Sequence, residues 1–151
     1  CSDDIDAGDS LMILRYIIER VCEDREVVVT LHPKPMAGDW NGSGCHTNFS
    51  TAEMREDGGH DIIVQTMEKF RKNTIDHIKV YGKDNDQRLT GLHETAPIGE
   101  FSWGYGDRGA SIRIPKSTLV YGKGYFEDRR PASNIDPYEV IERILKTVYD
   151  I

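Results

Sequence analysis

KPMAGDWNGSGCHTNFS, residues 34–50, is a polar loop punctuated by Gly38, Gly42 and Gly44. It carries an amide corner at Trp40, Asn41 and Gly42, one ligand-type side chain in His46, and Ser50 placed to start a helix. Glycine admits positive φ and lets main-chain N–H groups approach a ligand, while Asn41, Asn48 and Ser50 offer neutral hydrogen bonds. Such a loop suits an anion or a zwitterion. Immediately upstream, residues 26–31 are rich in β-branched side chains, which predicts a strand ended by Pro33 and Pro35. A strand feeding this loop places it at a sheet edge.

Working outward, residues 2–9 are acidic, with Asp3, Asp4, Asp6 and Asp9, but no Glu closes a calcium-loop spacing, so a solvated turn is expected. Asp9 or Ser10 then caps a helix whose Leu11, Leu14, Ile17, Ile18 and Val21 recur at helical spacing, which predicts a core helix. Downstream, Ser50 and Glu53 have capping-box spacing, predicting a short helix over 51–55 that Gly58 and Gly59 break. A helix over 61–72 follows, with Ile63, Met67 and Phe70 on one face. Residues 74–81 are ambiguous. Residues 83–119 read as loop except for an alternating strand at 110–114, and 125–129 should be another strand. Asp136-Pro137 caps a closing helix with Val140, Ile141, Ile144, Leu145 and Val148 facing inward. The fold class expected is α+β.

The net charge of -7 over 151 residues, with no useful Lys/Arg run, argues against a nucleic-acid backbone as partner. No apolar window approaches the ~20 residues of a membrane span, so no membrane partner is expected. Cys1, Cys22 and Cys45 lack metal-ligand spacing and suit reduced thiols, which points to a cytoplasmic protein. In that compartment the sequons at Asn41 and Asn48 are coincidences of composition. A chain that opens on Cys1 reads as a fragment.

Arg88, Arg108, Arg113, Arg129 and Arg130 gather in the second half among glycines and aromatics. Guanidinium groups bind carboxylates and phosphates bidentately and stay charged, although each is equally readable as an ordinary ion pair. His46 and Glu127 are metal-ligand types; read alone, the first is also a hydrogen-bonded loop residue and the second a partner for Arg129. Two nucleotide signatures fail. Residues 104–109 match GxGxxG, yet the expected strand follows where a dinucleotide unit needs a helix, and no GxxxxGK[ST] loop is present.

Four runs, NGSGCHTNFS (41–50), RLTGLHET (88–95), DRGASIRIP (107–115) and GYFEDRRPASNIDPY (124–138), taken in this order, resemble the glutamine synthetases of the eukaryotic type. The resemblance covers essentially the whole chain and implies the carboxyl-terminal half of that catalytic domain, a curved, mainly antiparallel sheet covered by helices on one side. The amino-terminal β-rich domain and the first half of the catalytic domain would lie outside it. The implied reaction is ATP-dependent ligation of ammonia to glutamate through γ-glutamyl phosphate. By the same resemblance, Asn41, Gly42, Arg88, Arg108 and Arg129 meet glutamate, while Asn48, Ser50, Arg108, Arg113 and Tyr125 meet ATP. His46 and Glu127 would ligate Mg or Mn, and Glu94, Arg108 and Arg129 would be catalytic. Arg130, Trp40 and Trp103 are expected to be structural or packing residues, and His32, His60, His77 and His93 receive no role. Asp107 departs from the Asn common in the family, outside the matched catalytic positions.

The family further implies glutamate, ammonium and ATP as partners and a homo-oligomer of two stacked rings, with sites formed between subunits. The fragment alone should then be inactive, marginally stable or self-associating. A γ-glutamyl ligase for another amine, a guanidino kinase or a non-catalytic descendant are the alternatives. The kinase would need a reactive cysteine in its own motif, and retention of the site residues argues against the descendant.

Overall fold

β4 (Phe126–Asp128) is the strand around which the rest is arranged. In the computed structural model, which describes residues 5–151, it pairs antiparallel with β1 (Thr47–Phe49) on one side and with β3 (Ile112–Ile114) on the other. β2 (Trp103–Tyr105) adds to β3 in parallel, giving the order β1-β4-β3-β2. The register sorts side chains by the alternation of a pleated strand. Asn48, Glu127, Arg113 and Gly104 lie in one row across the sheet, and Thr47, Asp128, Ile112 and Trp103 lie in the next.

Helices cover the face that carries Phe126 and Asp128. α2 (Gly59–Lys72) is entered through Gly58 at φ 85° and buries Ile63, Met67 and Phe70 completely. The Phe70 ring meets Phe126 edge-on at 5.2 Å between centroids, and Phe49 packs beside them. α3 (Thr74–Val80) continues after a break at Asn73. α5 (Pro137–Tyr149) starts where the Asp136 carboxylate accepts from the Tyr138 and Glu139 amides, with Pro137 in its first turn. Val140, Ile144 and Val148 are buried, and Ile141 and Leu145 half-buried. Burial of each such side chain stabilises by about 1.5–3 kcal/mol.

Two polar residues belong to this core. Arg130 is 2 % exposed and makes a two-point ion pair with Asp128, through Nε at 2.9 Å and Nη2 at 2.7 Å. Phe70, Tyr81 and Phe101 offer ring faces 5.2–5.8 Å from its guanidinium carbon. The structural role expected for Arg130 is what its burial shows. His77 has Nδ1 2.6 Å from the Tyr81 hydroxyl and Nε2 2.8 Å from that of Thr147, while Tyr81 donates to Asp128 at 2.6 Å. A neutral ring with its proton on Nδ1 satisfies this whole chain, since Tyr81 has only one proton to give.

Burial and the Arg130 charge push the His77 imidazole down from 6.5 to about 3. Above pH 6.5 neither the folded nor the unfolded ring is protonated and His77 has no effect. As the pH falls from there toward 3 the unfolded chain takes up a proton that the folded chain refuses. Stability is expected to drop by about 1.4 kcal/mol per pH unit from this group. Urea titrations at pH 7, 6 and 5 should show that slope in the parent, and His77→Gln should flatten it; an equal slope in both would refute the assignment.

Several expectations are corrected here. α1 (Asp6–Glu23) forms, but it starts before Asp9, its N-cap Ile5 makes no side-chain cap, and among its residues only Gly8 is buried. Ile13, Leu14, Tyr16, Ile17, Ile18 and Val21 are exposed at 40–62 %, so helical periodicity here marks an apolar face without a cover. α1 is tethered by Arg15, which donates to the Ser133 and Ile135 carbonyls, and by Asp9, which accepts from Tyr138. We expect concentration-dependent self-association of the chain in sedimentation velocity, abolished by Ile13→Glu/Ile17→Glu; a monomer at ~100 μM would contradict it.

Residues 26–31 are not a strand. Glu26 turns at φ 56° and Val28 is 92 % exposed, because among the described residues no strand lies beside this segment to complete a ladder. Residues 53–55 form a 3-10 turn whose N-cap position is Ala52, without a side-chain cap; Thr51 just ahead of it accepts from the Met54 amide, and Ser50 accepts from the Arg55 side chain. Trp40 is 57 % exposed and not a packing residue, while Trp103 is half-buried edge-on to Tyr105. β2 lies inside the stretch read as loop, and α4 (Lys116–Tyr121) begins inside it and runs past its end. The short GxGxxG run leads into β3, as expected. Cys1, and Asp3 and Asp4 of the acidic turn, lie outside the described residues.

Candidate active site

On the face of the sheet away from the helices, the row Asn48, Glu127, Arg113 forms a floor. Glu127 is its centre. The carboxylate is nearly buried, with Oε1 3.2 Å from His46 Nδ1 and Oε2 3.3 Å from Arg129 Nη1. Arg113 Nε approaches Oε2 to 2.5 Å without the geometry of a hydrogen bond, so that buried N–H has no hydrogen-bond partner among the described residues. An ion pair of this kind leaves the guanidinium with donors to spare for an anion.

His46 is delivered by the loop just ahead of β1. Burial first, and the Arg129 charge second, hold its imidazole below the usual range, with Glu127 opposing. A neutral ring with its proton on Nδ1 donates to Glu127 and accepts at Nε2 from Arg88 Nη2, 3.3 Å away. Arg88 is 5 % exposed and donates to Asn85 Oδ1 and to the Arg129 and Arg130 carbonyls at 2.8–3.3 Å. Burial, with the Arg129 charge, lowers it to about 10, which still leaves it cationic at neutral pH. Its role toward the protein is therefore to clamp the end of β4 against the organising loop.

That clamp explains two glycines. Gly42 and Gly44 are not at positive φ; a Cβ on either would strike the Arg88 side chain, and at Gly42 also the Pro33 carbonyl. Only Gly38, at φ 96°, serves the turn conformation expected of all three.

Arg129 joins the floor to the rim. Its Nε donates to the Arg108 carbonyl at 3.2 Å and its Nη2 to the Glu94 carbonyl at 3.3 Å. The Glu94 carboxylate sits 3.4 Å from Arg108 Nη1, and both side chains are more than half exposed, so this pair is loose and free to meet a ligand. Asn41 is exposed beside Gly42. At the other end, Ser50 and Tyr125 stand one residue beyond the Phe49–Phe126 pair, with Asn48 exposed on β1 and Tyr125 40 % exposed.

His46, Arg88, Arg113, Glu127 and Arg129 thus form one chain of contacts, Glu94 and Arg108 attach through Arg129, Asn48 lies in the floor row beside Glu127, and Ser50 and Tyr125 stand further along. Two guanidiniums, of Arg113 and Arg129, pair with the Glu127 carboxylate, and Arg88 stands behind them against His46, which gives the floor an excess of fixed positive charge. Two metal donors are present, and among the described residues no group of three His, Cys, Asp or Glu gathers to hold a cation. To share a divalent ion with Glu127, His46 would have to present an unprotonated Nδ1, the nitrogen that faces that carboxylate, and roughly four positions would be left to other donors. Sequence reasoning missed the contact between His93 and Asp39 at the rim.

A four-stranded mixed sheet with helices on one face and an arginine-lined floor on the other is an α+β domain. Residues 1–74 match the catalytic domain of glutamine synthetase. The chain is 57% identical over 144 residues to a glutamine synthetase of Saccharomyces cerevisiae, covering 95% of this chain and 39% of that protein. It is 56% identical over 143 residues to the leaf isozyme, chloroplastic, of Hordeum vulgare and 55% identical over 143 residues to cytosolic isozyme 1-1 of Oryza sativa, covering 95% of this chain in each case and 33% and 40% of those proteins. The chain belongs to the glutamine synthetase family. It spans about 40% of the length of most curated relatives it matches.

Proposed function

We propose that this chain carries part of a glutamate–ammonia ligase site, in which ATP phosphorylates the γ-carboxylate of glutamate and ammonia displaces phosphate from γ-glutamyl phosphate. The observation that supports it most is the gathering of Arg113, Arg129 and His46 on Glu127, with Arg88 behind His46 and Glu94 at the rim.

The chemistry asks little covalent work of side chains. A carboxylate oxygen leaves only after it has become phosphate, and a migrating phosphoryl group needs positive charge fixed around it in advance. Arg113 and Arg108 would hold the nucleotide phosphates, and Arg129 the transferring group. Asn41, Gly42 and Arg88 would form the glutamate corner, and Asn48, Ser50 and Tyr125 the nucleotide edge. His46 and Glu127, with donors from elsewhere, would hold a divalent ion, Mg or Mn, which neutralises phosphate charge when bound. Glu94 would attract ammonium and take its proton, since the protonated amine is not a nucleophile. The floor excludes water on its helix-backed side; closure at the rim protects the acyl phosphate from hydrolysis.

Two stacked rings with shared sites, and a cytoplasmic location consistent with the free thiols of Cys22 and Cys45, complete the reading. Among the described residues no helix is long and apolar enough to cross a membrane.

The test is phosphate release dependent on ATP, glutamate and ammonium, measured on this chain alone and on a chimera in which it replaces the matching segment of the yeast relative. Activity in the chimera and none in the chain alone is expected. A folded, nucleotide-binding chimera without ammonium-dependent turnover would overturn the reading.

A further inference from the structure

The loop that carries Glu94 is strained and weakly anchored. His93 and Glu94 are consecutive non-glycine residues in the left-handed region, at φ 53° and 59°, after Gly91 at φ 83°. Such a pair persists only where its surroundings hold it. At its base the loop is closed by the Thr90–Pro97 bridge and by Thr95, whose hydroxyl donates to the Arg88 and Leu92 carbonyls. Its tip has three outside contacts. Two are long, the Glu94 carbonyl to Arg129 at 3.3 Å and the Glu94 carboxylate to Arg108 at 3.4 Å, and both arginines are the groups that a phosphorylated ligand would draw away. The third is short, His93 Nε2 to Asp39 Oδ1 at 2.9 Å.

Asp39 directly precedes the Trp40, Asn41, Gly42 corner, and its side chain is 94 % exposed, so His93 is the neighbour that holds it. We propose that His93 and Asp39 are positioning residues: their close polar contact ties the Glu94 loop to the glutamate corner, so that ordering one orders the other. The functional half of this inference rests on reading Glu94 as the group that meets the amine. Neither residue touches a reacting atom; both act through Glu94 and the corner. The tie keeps Glu94 in place when Arg108 and Arg129 turn to substrate.

Amide hydrogen exchange on the chain itself tests the tie. Asp39→Ala and His93→Ala should each speed exchange at the Leu92 and Thr95 amides by about fivefold, as for loss of an exposed polar pair. The double variant should add nothing further, and core amides such as that of Met67 should not change. Asp39→Asn, which keeps an acceptor, should restore protection. Unchanged exchange, additive effects in the double variant, or a general rise not rescued by Asp39→Asn would overturn the proposal.

In the chimera, Asp39→Ala should lower kcat/KM for ammonium about fivefold with KM for ATP unchanged; an equal loss for both substrates would overturn the positioning role. Coupling in the exchange data with no turnover in the chimera would keep the tie and refute the ligase reading. Turnover without coupling would do the reverse.

Discussion

Arg129→Lys in the chimera with the yeast relative is expected to lower kcat by about 10²–10³, the cost of removing one fixed donor from a developing anion. Charge is retained, so a loss of that size reports geometry. A guanidinium can donate at once to the Glu127 carboxylate, the Arg108 carbonyl and the Glu94 carbonyl, and Arg129 does so from a nearly buried position. An ammonium on a flexible stem cannot span those three directions. Initial rates at saturating ATP and varied glutamate decide the matter. A rise in KM with kcat intact would make Arg129 a ground-state binder, and a loss below about fivefold would remove it from the phosphoryl machinery.

Asp128→Ala is expected to cost about 3–5 kcal/mol of stability, because it leaves the Arg130 guanidinium 2 % exposed with no countercharge. Burial alone would raise the Asp128 carboxyl, but the Arg130 charge and its hydrogen bonds, helped by His77 and Tyr81, hold it below the usual carboxylate range. The pair is mutual: burial alone would lower Arg130, and Asp128 more than reverses this. Against a typical domain stability of about 5–15 kcal/mol, the variant should be close to unfolding. Urea denaturation measures the loss. The double variant Asp128→Ala/Arg130→Met should recover much of it, since the penalty lies in the orphaned charge and not in the missing pair. A single variant within about 1 kcal/mol of the parent would show that water reaches Arg130.

How much of this could be read in advance depended on where the information resides. β4, α2 and α5 were legible because the cause is local: alternation around Phe126, a stripe of Ile63, Met67 and Phe70, and a cap at Asp136 followed by Pro137. The clustering of Arg88, Arg113, Arg129, His46 and Glu127 was legible through motifs that pointed to a family, since the sites are up to 83 residues apart in sequence and no spacing rule joins them. Residues 26–31 and α1 misled because β-branching and helical periodicity describe a surface, not what lies against it. Val28 and Ile17 have the composition of buried residues and are exposed. The glycines misled differently. Gly42 and Gly44 are required by Arg88, a residue more than forty positions away, and His93 found its partner in Asp39 only through the path of two loops.

Adjacent acids on β4 have opposite duties: Glu127 points to the floor of the site and Asp128 into the helix-covered core. Adding or removing one residue within 126–128 would exchange them, sending the ligand-facing carboxylate into the interior and the interior one out to the floor. Insertion or deletion in this strand is therefore expected to cost more than a substitution at any one of its three positions. Recombination within the family should place its crossovers in the turns on either side of it, and a library of single-residue insertions should show a gap in viable clones over those three positions.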